Sequence, residues 1–299
     1  MKRMHKLAMI AIVISVFPGT GHSLRAAPQG RVVEGLHMNS EILGEQVAYT
    51  IYLPPSYGTS TRKYPVVYLL HGFTDDETAW IQFGEIRQAA DRAIDDREIP
   101  PMIIVMPDAG VTWYVDDYRS TFPYEKMFVQ EFIPFIEETY RIRGKQEFRG
   151  VSGLSMGGYG SLMYSMRYPS LFAACAAFSA GVMTDREILD MPQDRYDNLF
   201  GSLFGDHPAG QDRLTDFYEA HNPLHLAETL PPDSLKRTRY YLDVGDDDFL
   251  YRGNAALHVT LRNRNIPHEY RVRDGAHNWT YWRTGIVNGL KFIGESFKR

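Results

Sequence analysis

Phe148-Arg149-Gly150-Val151-Ser152-Gly153-Leu154-Ser155-Met156-Gly157-Gly158-Tyr159-Gly160 changes character twice over a short distance. Phe148 to Gly153 has the apolar, short-run character of a strand, and Met156 to about Arg167 reads as a helix closed by Pro169. Between them Gly153-Leu154-Ser155-Met156-Gly157 fits G-x-S-x-G. The five residues alone are common by chance, and the strand before and helix after give them meaning. In such a turn the serine takes a strained backbone conformation, and the glycines leave room for close chain approach. The hydroxyl then projects at the carboxyl edge of a sheet, where the helix amino terminus favours developing negative charge.

Working outward, Arg31 to Met38 and Val47 to Leu53 have strand character, the second alternating Val47, Tyr49, Ile51 and Leu53 with smaller or more polar neighbours. Pro65 to Leu70 and Met102 to Met106 are continuous apolar runs, the pattern of strands buried on both faces. A helical pattern through Ile86, Ala90, Ala93 and Ile94 separates them. Tyr124 to Tyr140 reads as a helix that Pro134 should kink. Strands follow at Phe172 to Phe178, Arg239 to Val244 and Glu269 to Val272, with helices at Gly253 to Arg264 and Trp279 to Phe297. Alternation of apolar strands with helices places the chain in the α/β class, with a mostly parallel sheet covered on both faces. Residues 183–238 lose periodicity and collect Gly, Pro and Asp, which reads as an irregular, cap-like excursion over a substrate cleft.

A length of 299 residues with 44% hydrophobic content fits one catalytic domain over residues 27–299. The net charge of -5 lacks the basic footprint of a nucleic-acid binder, so no nucleic-acid partner is expected. Met1 to Lys6 carries two lysines and an arginine and precedes an apolar run from Leu7 to Phe17. That pattern reads as a signal peptide over residues 1–26, hence a secreted or periplasmic protein. The run is too short for a spanning helix and is broken by Pro18 and Gly19, so no stable membrane span is expected after processing. The sole cysteine, Cys175, lies in an apolar stretch and reads as an inert buried thiol. Metal-ligand spacings such as C-x-x-C or H-E-x-x-H are missing from the sequence, and no bound metal is expected.

A serine hydroxyl is a weak nucleophile at neutral pH and needs a base within hydrogen-bond reach. His277 follows the last predicted strand, where a loop can carry it over the sheet edge; the other histidines after Ser155 lie elsewhere. For the carboxylate that orients it, Asp243, Asp246, Asp247 and Asp248 crowd the end of the strand Arg239 to Val244. Asp243 falls within the strand and points into packing or a local hydrogen bond. The turn must clear the sheet edge before a carboxylate can face the histidine, which selects Asp248 and leaves Asp246 and Asp247 as solvated turn residues. Acyl transfer also needs donors for the oxyanion. Position assigns these to the backbone N–H of Met156, after the nucleophile, and to that of Phe73 in His71-Gly72-Phe73, after the strand Pro65 to Leu70. His71 duplicates a role already filled and reads as a structural hydrogen-bonding residue.

Leu69-Leu70-His71-Gly72-Phe73 with Trp80, Gly153 to Gly160, Gly245-Asp246-Asp247-Asp248-Phe249-Leu250 and Gly275-Ala276-His277 together resemble the esterase D family, and within it the feruloyl and tributyrin esterase branch. The resemblance spans about residues 31–297 and implies an α/β-hydrolase fold acting on carboxylic esters without metal or organic cofactor. It supports Ser155, Asp248 and His277 as a triad with Phe73 and Met156 at the oxyanion. Trp80, Trp113 and Tyr114 are the aromatic candidates for substrate binding. The implied substrates are short-chain, acetyl or feruloyl esters, small or polysaccharide-linked. Open alternatives are an acyltransferase like the mycolyltransferases, an S-formylglutathione hydrolase, and an inactive binding module of the same fold. S-formylglutathione hydrolases tend to have histidine before the serine, where this chain has Leu154.

Overall fold

Apolar runs in this chain become a sheet of eight strands among the described residues: β1 (Arg31–Asn39), β2 (Gln46–Leu53), β3 (Val66–Leu70), β4 (Ile103–Pro107), β5 (Arg149–Leu154), β6 (Ala174–Phe178), β7 (Arg239–Gly245) and β8 (His268–Arg273). The computed structural model describes residues 29–205, 207 and 210–297, so the expected leader lies outside the described residues. Strand order is β1-β2-β4-β3-β5-β6-β7-β8. β1 and β2 pair antiparallel, as do β2 and β4, and every pairing from β4 through β8 is parallel. This is the mostly parallel α/β sheet that the alternation of elements implied.

β3, β4 and β6 are buried at every residue, and the period of two explains why each had to be apolar throughout. Val66, Tyr68 and Leu70 pack into the core on one face of the sheet, with Ile103, Val105, Cys175 and Ala177. Val67 and Leu69 pack into the core on the other, with Ile104, Met106, Ala176 and Phe178. Fully burying an aliphatic or aromatic side chain of this size contributes about 1.5–3 kcal/mol, so both faces must be covered. Helices Met156–Arg167 and Tyr251–Asn263 lie over one face; Ile86–Asp95 and Trp279–Ser296 lie over the other. The edge strands β1 and β8 carry the exposed and half-buried residues. No helix among the described residues is long and apolar enough to cross a membrane.

Two segments depart from a simple helix. Pro134 was expected to kink the run Tyr124 to Tyr140. The chain instead passes from a helical turn, Tyr124–Met127, through a widened turn, Phe128–Phe132, in which Ile133 N–H bonds to Phe128 O, and resumes as Ile133–Thr139. Pro134 thereby sits at the start of the resumed helix, where its missing N–H costs little. Residues 183–238 fold into short helices, among them Asp185–Leu189, Gln193–Tyr196 and Pro223–Thr229. Arg213 ties them together: its fully buried guanidinium donates to Ile188 O, Met191 O and Gln193 Oε1 and stacks over Tyr196. This excursion sits above the carboxyl ends of the central strands, contributing Met183, Arg195 and Leu199 to a cleft there.

Candidate active site

β5 ends at Leu154, and Ser155 follows with φ 51° and ψ -116°, a conformation that costs a non-glycine residue on the order of 1–3 kcal/mol. Hydrogen bonds over-determine it. Ser155 N–H donates to Phe178 O at 2.9 Å, and Ser155 O accepts from Gly181 N at 2.8 Å and Tyr159 N at 3.0 Å. The glycines of the motif are required by space. A Cβ on Gly157 would lie 2.5 Å from Leu70 O, and one on Gly153 would stand nearly on the Gly157 carbonyl. The turn therefore presses against the end of β3, and Ser155 remains half-buried at the sheet edge with its hydroxyl open to the cleft.

His277 and Asp248 converge on it. His277 Nε2 lies 3.0 Å from Ser155 Oγ, and Nδ1 lies 2.9 Å and 3.1 Å from the two Asp248 oxygens. The carboxylate accepts, so Nδ1 carries the proton and Nε2 is left to face the hydroxyl. Asp248 is 1% exposed and also accepts from Leu250 N at 2.9 Å. Burial alone would raise its carboxyl, but the His277 hydrogen bond and charge outweigh it and hold the group below the usual aspartate range. Two rings flank the imidazole: Phe249 at 4.5 Å between centroids and Trp282, edge to face, at 4.8 Å.

The acid loop and histidine loop are clamped to each other. Asp246 N and Asp247 N donate to Arg273 O and Gly275 O, and Asp246 Oδ1 accepts from Gly275 N at 2.9 Å. Asp246 and Asp247 are exposed turn residues, as their position implied. Asp243 is fully buried within β7 and accepts from Arg273, Tyr241 and Tyr281. That cluster fixes β8 and the start of the helix Trp279–Ser296 on either side of His277. Asn278 caps this helix by accepting from Tyr281 N at 3.1 Å.

Met156 is the first residue of the helix behind Ser155, so its N–H has no acceptor within the helix. Phe73 lines the same cleft in the loop after β3, where Gly72 passes so close that an added Cβ would lie 3.8 Å from Ser155 Cβ. His71 is buried and holds this loop in place. Its Nε2 accepts from Ala109 N at 2.9 Å, which assigns the proton to Nδ1, 2.8 Å from Gly72 O. Cys175 is buried within β6, and burial pushes its thiol up to about 12, far from a reactive thiolate.

The cleft has a volume of about 490 Å³. Of the three aromatic candidates only Trp113 lines it. Trp80 and Tyr114 are corrected here. Trp80 is 1% exposed, donates its indole N–H to Leu70 O at 3.0 Å, and packs edge to face behind Trp279, which does reach the cleft. Tyr114 has no exposure and donates to His71 O at 3.1 Å. Trp113 and Tyr114 both have positive φ, 54° and 64°, and that reversal puts one ring at the cleft and the other in the core. Phe249, Trp279 and Trp282 line the cleft and were not singled out, although they neighbour Asp248 and His277 in sequence. Asp75 and Arg195 are its charged lining residues. Partial burial lifts the Asp75 carboxyl above its usual range.

A largely parallel sheet with a strained serine at the end of its middle strand, and an acid and histidine from the ends of β7 and β8, defines the α/β-hydrolase fold. A family model described as "Putative esterase" matches residues 40–293. A solved structure of a ferulic acid esterase is similar with a TM-score of 0.78 and 32% identity, covering 90% of this chain and 99% of that one. The acetyl esterase of Caldicellulosiruptor saccharolyticus is 26% identical over 77% of this chain and 83% of its own length. A Mycobacterium tuberculosis esterase is 28% identical over 79% of this chain, which spans about half (53%) of that relative. The chain belongs to this esterase family and is a serine carboxylesterase.

Proposed function

We propose that this protein is exported and hydrolyses short-chain or hydroxycinnamoyl esters carried on carbohydrate, through an acyl-enzyme on Ser155. The observation that carries the reading is the line Asp248, His277, Ser155, with contacts of 2.9 Å and 3.0 Å, opening into a cleft walled by aromatic rings. In the first step Ser155 Oγ attacks the ester carbonyl and passes its proton to His277 Nε2. Asp248 stabilises the imidazolium, and the N–H groups of Phe73 and Met156 hold the oxyanion. Collapse of this intermediate breaks the bond to the alcohol, which leaves with the proton from His277. Water then loses a proton to His277 and attacks the acyl-enzyme, releasing the acid and restoring the serine.

Substrate class follows from the walls. Phe73, Trp113, Phe249, Trp279 and Trp282 offer flat apolar surface to an aromatic or short acyl group. Met183, Arg195, Phe249 and Leu250 also line a neighbouring hollow of about 500 Å³, together with Glu187 and Asp190. Side chains of both polarities beside the exposed ring of Phe249 suit a glycosyl portion, with its hydroxyls and apolar ring faces. Similarity to a ferulic acid esterase and an acetyl esterase supports the same range of acyl groups. The apolar run Leu7 to Phe17 behind a basic start supports export. The test is a panel of acetyl, butyryl and feruloyl esters, free and sugar-linked, ranked by kcat/KM, with products analysed with and without added sugar acceptor. Sugar-linked esters should rank first and water should be the acceptor. Preference for free esters removes the carbohydrate, and a transferred acyl group converts the enzyme into a transferase.

A further inference from the structure

The turn Phe83-Gly84-Glu85, between the short helix Ala79–Gln82 and the helix Ile86–Asp95, carries two features that the chemistry above does not use. Phe83 is 48% exposed, and it and Phe249 are the exposed phenylalanines among the described residues. Glu85 has φ 50°, a strained value for a residue other than glycine. Packing holds the turn in this form. A Cβ on Gly84 would lie 2.7 Å from Trp80 O and 3.1 Å from the Trp279 ring, so the chain passes tightly against both tryptophans and Phe83 is left on the surface.

Phe83 continues the aromatic wall of the cleft. Its ring centroid lies 5.7 Å from that of Trp279, which lines the cleft and stands 5.4 Å from Trp282, the neighbour of His277. Two residues after Phe83, and one helical turn after Trp279, Glu85 and Arg283 line a separate hollow of about 450 Å³. It lies between the helices Ile86–Asp95 and Trp279–Ser296, and Gln88, Arg92, Glu98 and Thr284 also line it. Trp279, Arg283 and Val287 recur every fourth residue and share one face of their helix, a row about 12 Å long. Catalytic cleft, exposed rings and hollow thus follow one another along this helix.

The lining suits a neutral, hydroxyl-rich polymer. The two acids of the hollow, Glu85 and Glu98, balance its two bases, Arg92 and Arg283, so it offers no net field to a polyanion or an anionic membrane. Glu85 pairs with Arg283 at 3.1 Å, and Glu98 with Lys291 at 2.7 Å. The rings of Phe83 and Trp279 match the apolar faces of sugars, and Gln88, Arg92 and Thr284 offer hydrogen-bonding groups to their hydroxyls. The row from Trp279 to Val287 is longer than a single glycosyl unit.

We propose that this track binds an extended β-1,4-linked glycan chain, with Phe83 and Trp279 as the stacking platform and the groove between the two helices holding sugars remote from the ester. The inference rests on the carbohydrate-linked reading above. Binding at sugars that do not react favours esters on long chains over esters on short ones.

The test compares xylobiose and xylohexaose, each carrying one acetyl group. Wild-type kcat/KM should be about fivefold higher on the longer ester, the scale of one aromatic contact. Phe83→Ala should bring that ratio close to one, and Phe83→Trp should restore it. A misfolded fraction lowers both rates equally and cancels from the ratio. A wild-type ratio of one, or a ratio that Phe83→Ala leaves unchanged, would overturn the proposal. Calorimetric titration of unesterified xylohexaose into the wild-type protein needs no turnover. Saturable binding that weakens about fivefold in Phe83→Ala supports the groove even if ester hydrolysis fails, and absence of binding would overturn it. Acetyl xylobiose against ethyl acetate tests the carbohydrate-linked reading separately, since neither reaches the far sugars of the groove.

Discussion

Gly245→Ala should disable the enzyme without unfolding it. Gly245 ends β7, and the loop after β8 that carries His277 passes directly over it: an added Cβ would lie 2.0 Å from Gly275 O and 2.7 Å from its carbonyl carbon. Ordinary contact begins near 3.4 Å, so the Gly275 peptide must retreat by about 1.4 Å. That peptide is two residues before His277 and is bonded to Asp246 and Asp247, so the displacement passes into the base. A misplacement near 1 Å at reacting groups costs about a hundredfold in rate, whereas overpacking at one site costs about 1–3 kcal/mol in stability. The expected result is a fall in kcat of about a hundredfold, with a far-ultraviolet circular dichroism spectrum like the wild type and a Tm lowered by several degrees. The assay is ester hydrolysis beside thermal unfolding, with Gly58→Ala as control for substituting an exposed glycine whose Cβ meets nothing within 4 Å. Wild-type kcat in Gly245→Ala would refute the claim that this contact positions the histidine loop.

Asp248→Asn should lower kcat by about ten thousandfold, since an amide in place of the carboxylate favours the wrong imidazole tautomer, while Asp247→Asn at the exposed turn should stay near wild type. The reverse ranking by kcat would move the acid. Glu125 supplies a stability prediction of defined sign. It is 2% exposed, contacts Arg167 at 2.7 Å and accepts from Tyr168 at 2.6 Å. Burial raises its carboxyl, but the His221 imidazole, with Nε2 3.4 Å from Oε2, and the Arg167 charge outweigh it and set the folded value below the ordinary 4.5. Its contribution is therefore fully present above that ordinary value and is lost as pH falls through the lower folded one. Glu125→Gln should cost about 1.5–3 kcal/mol in urea unfolding at neutral pH and progressively less in acid. An equal cost at both ends of the range would contradict the assignment.

The parts of the fold that could be read from sequence are those where physics demands one residue type. β3 and β4 must be apolar at every position because both faces are covered, so their runs stand out. Gly153 and Gly157 fall against backbone, and only glycine fits. Asp248 could be separated from its neighbours because strand length fixes where the turn clears the sheet. Aromatic residues were harder. Trp80, Trp113 and Tyr114 are equally apolar on the page, and whether a ring faces cleft or core depends on the local reversal at Trp113 and Tyr114 and on Trp279 standing in front of Trp80. Arg195 and Leu199 reach the cleft from a segment whose short helices leave too few turns for an apolar period to emerge.

The central claim is that the Ser155 hydroxyl is the activated nucleophile. A fluorophosphonate probe followed by peptide mass spectrometry tests it directly. The adduct should map to Ser155, disappear in Ser155→Ala and form far more slowly in His277→Ala. An adduct on a different residue, or none on the folded wild-type protein, would contradict it.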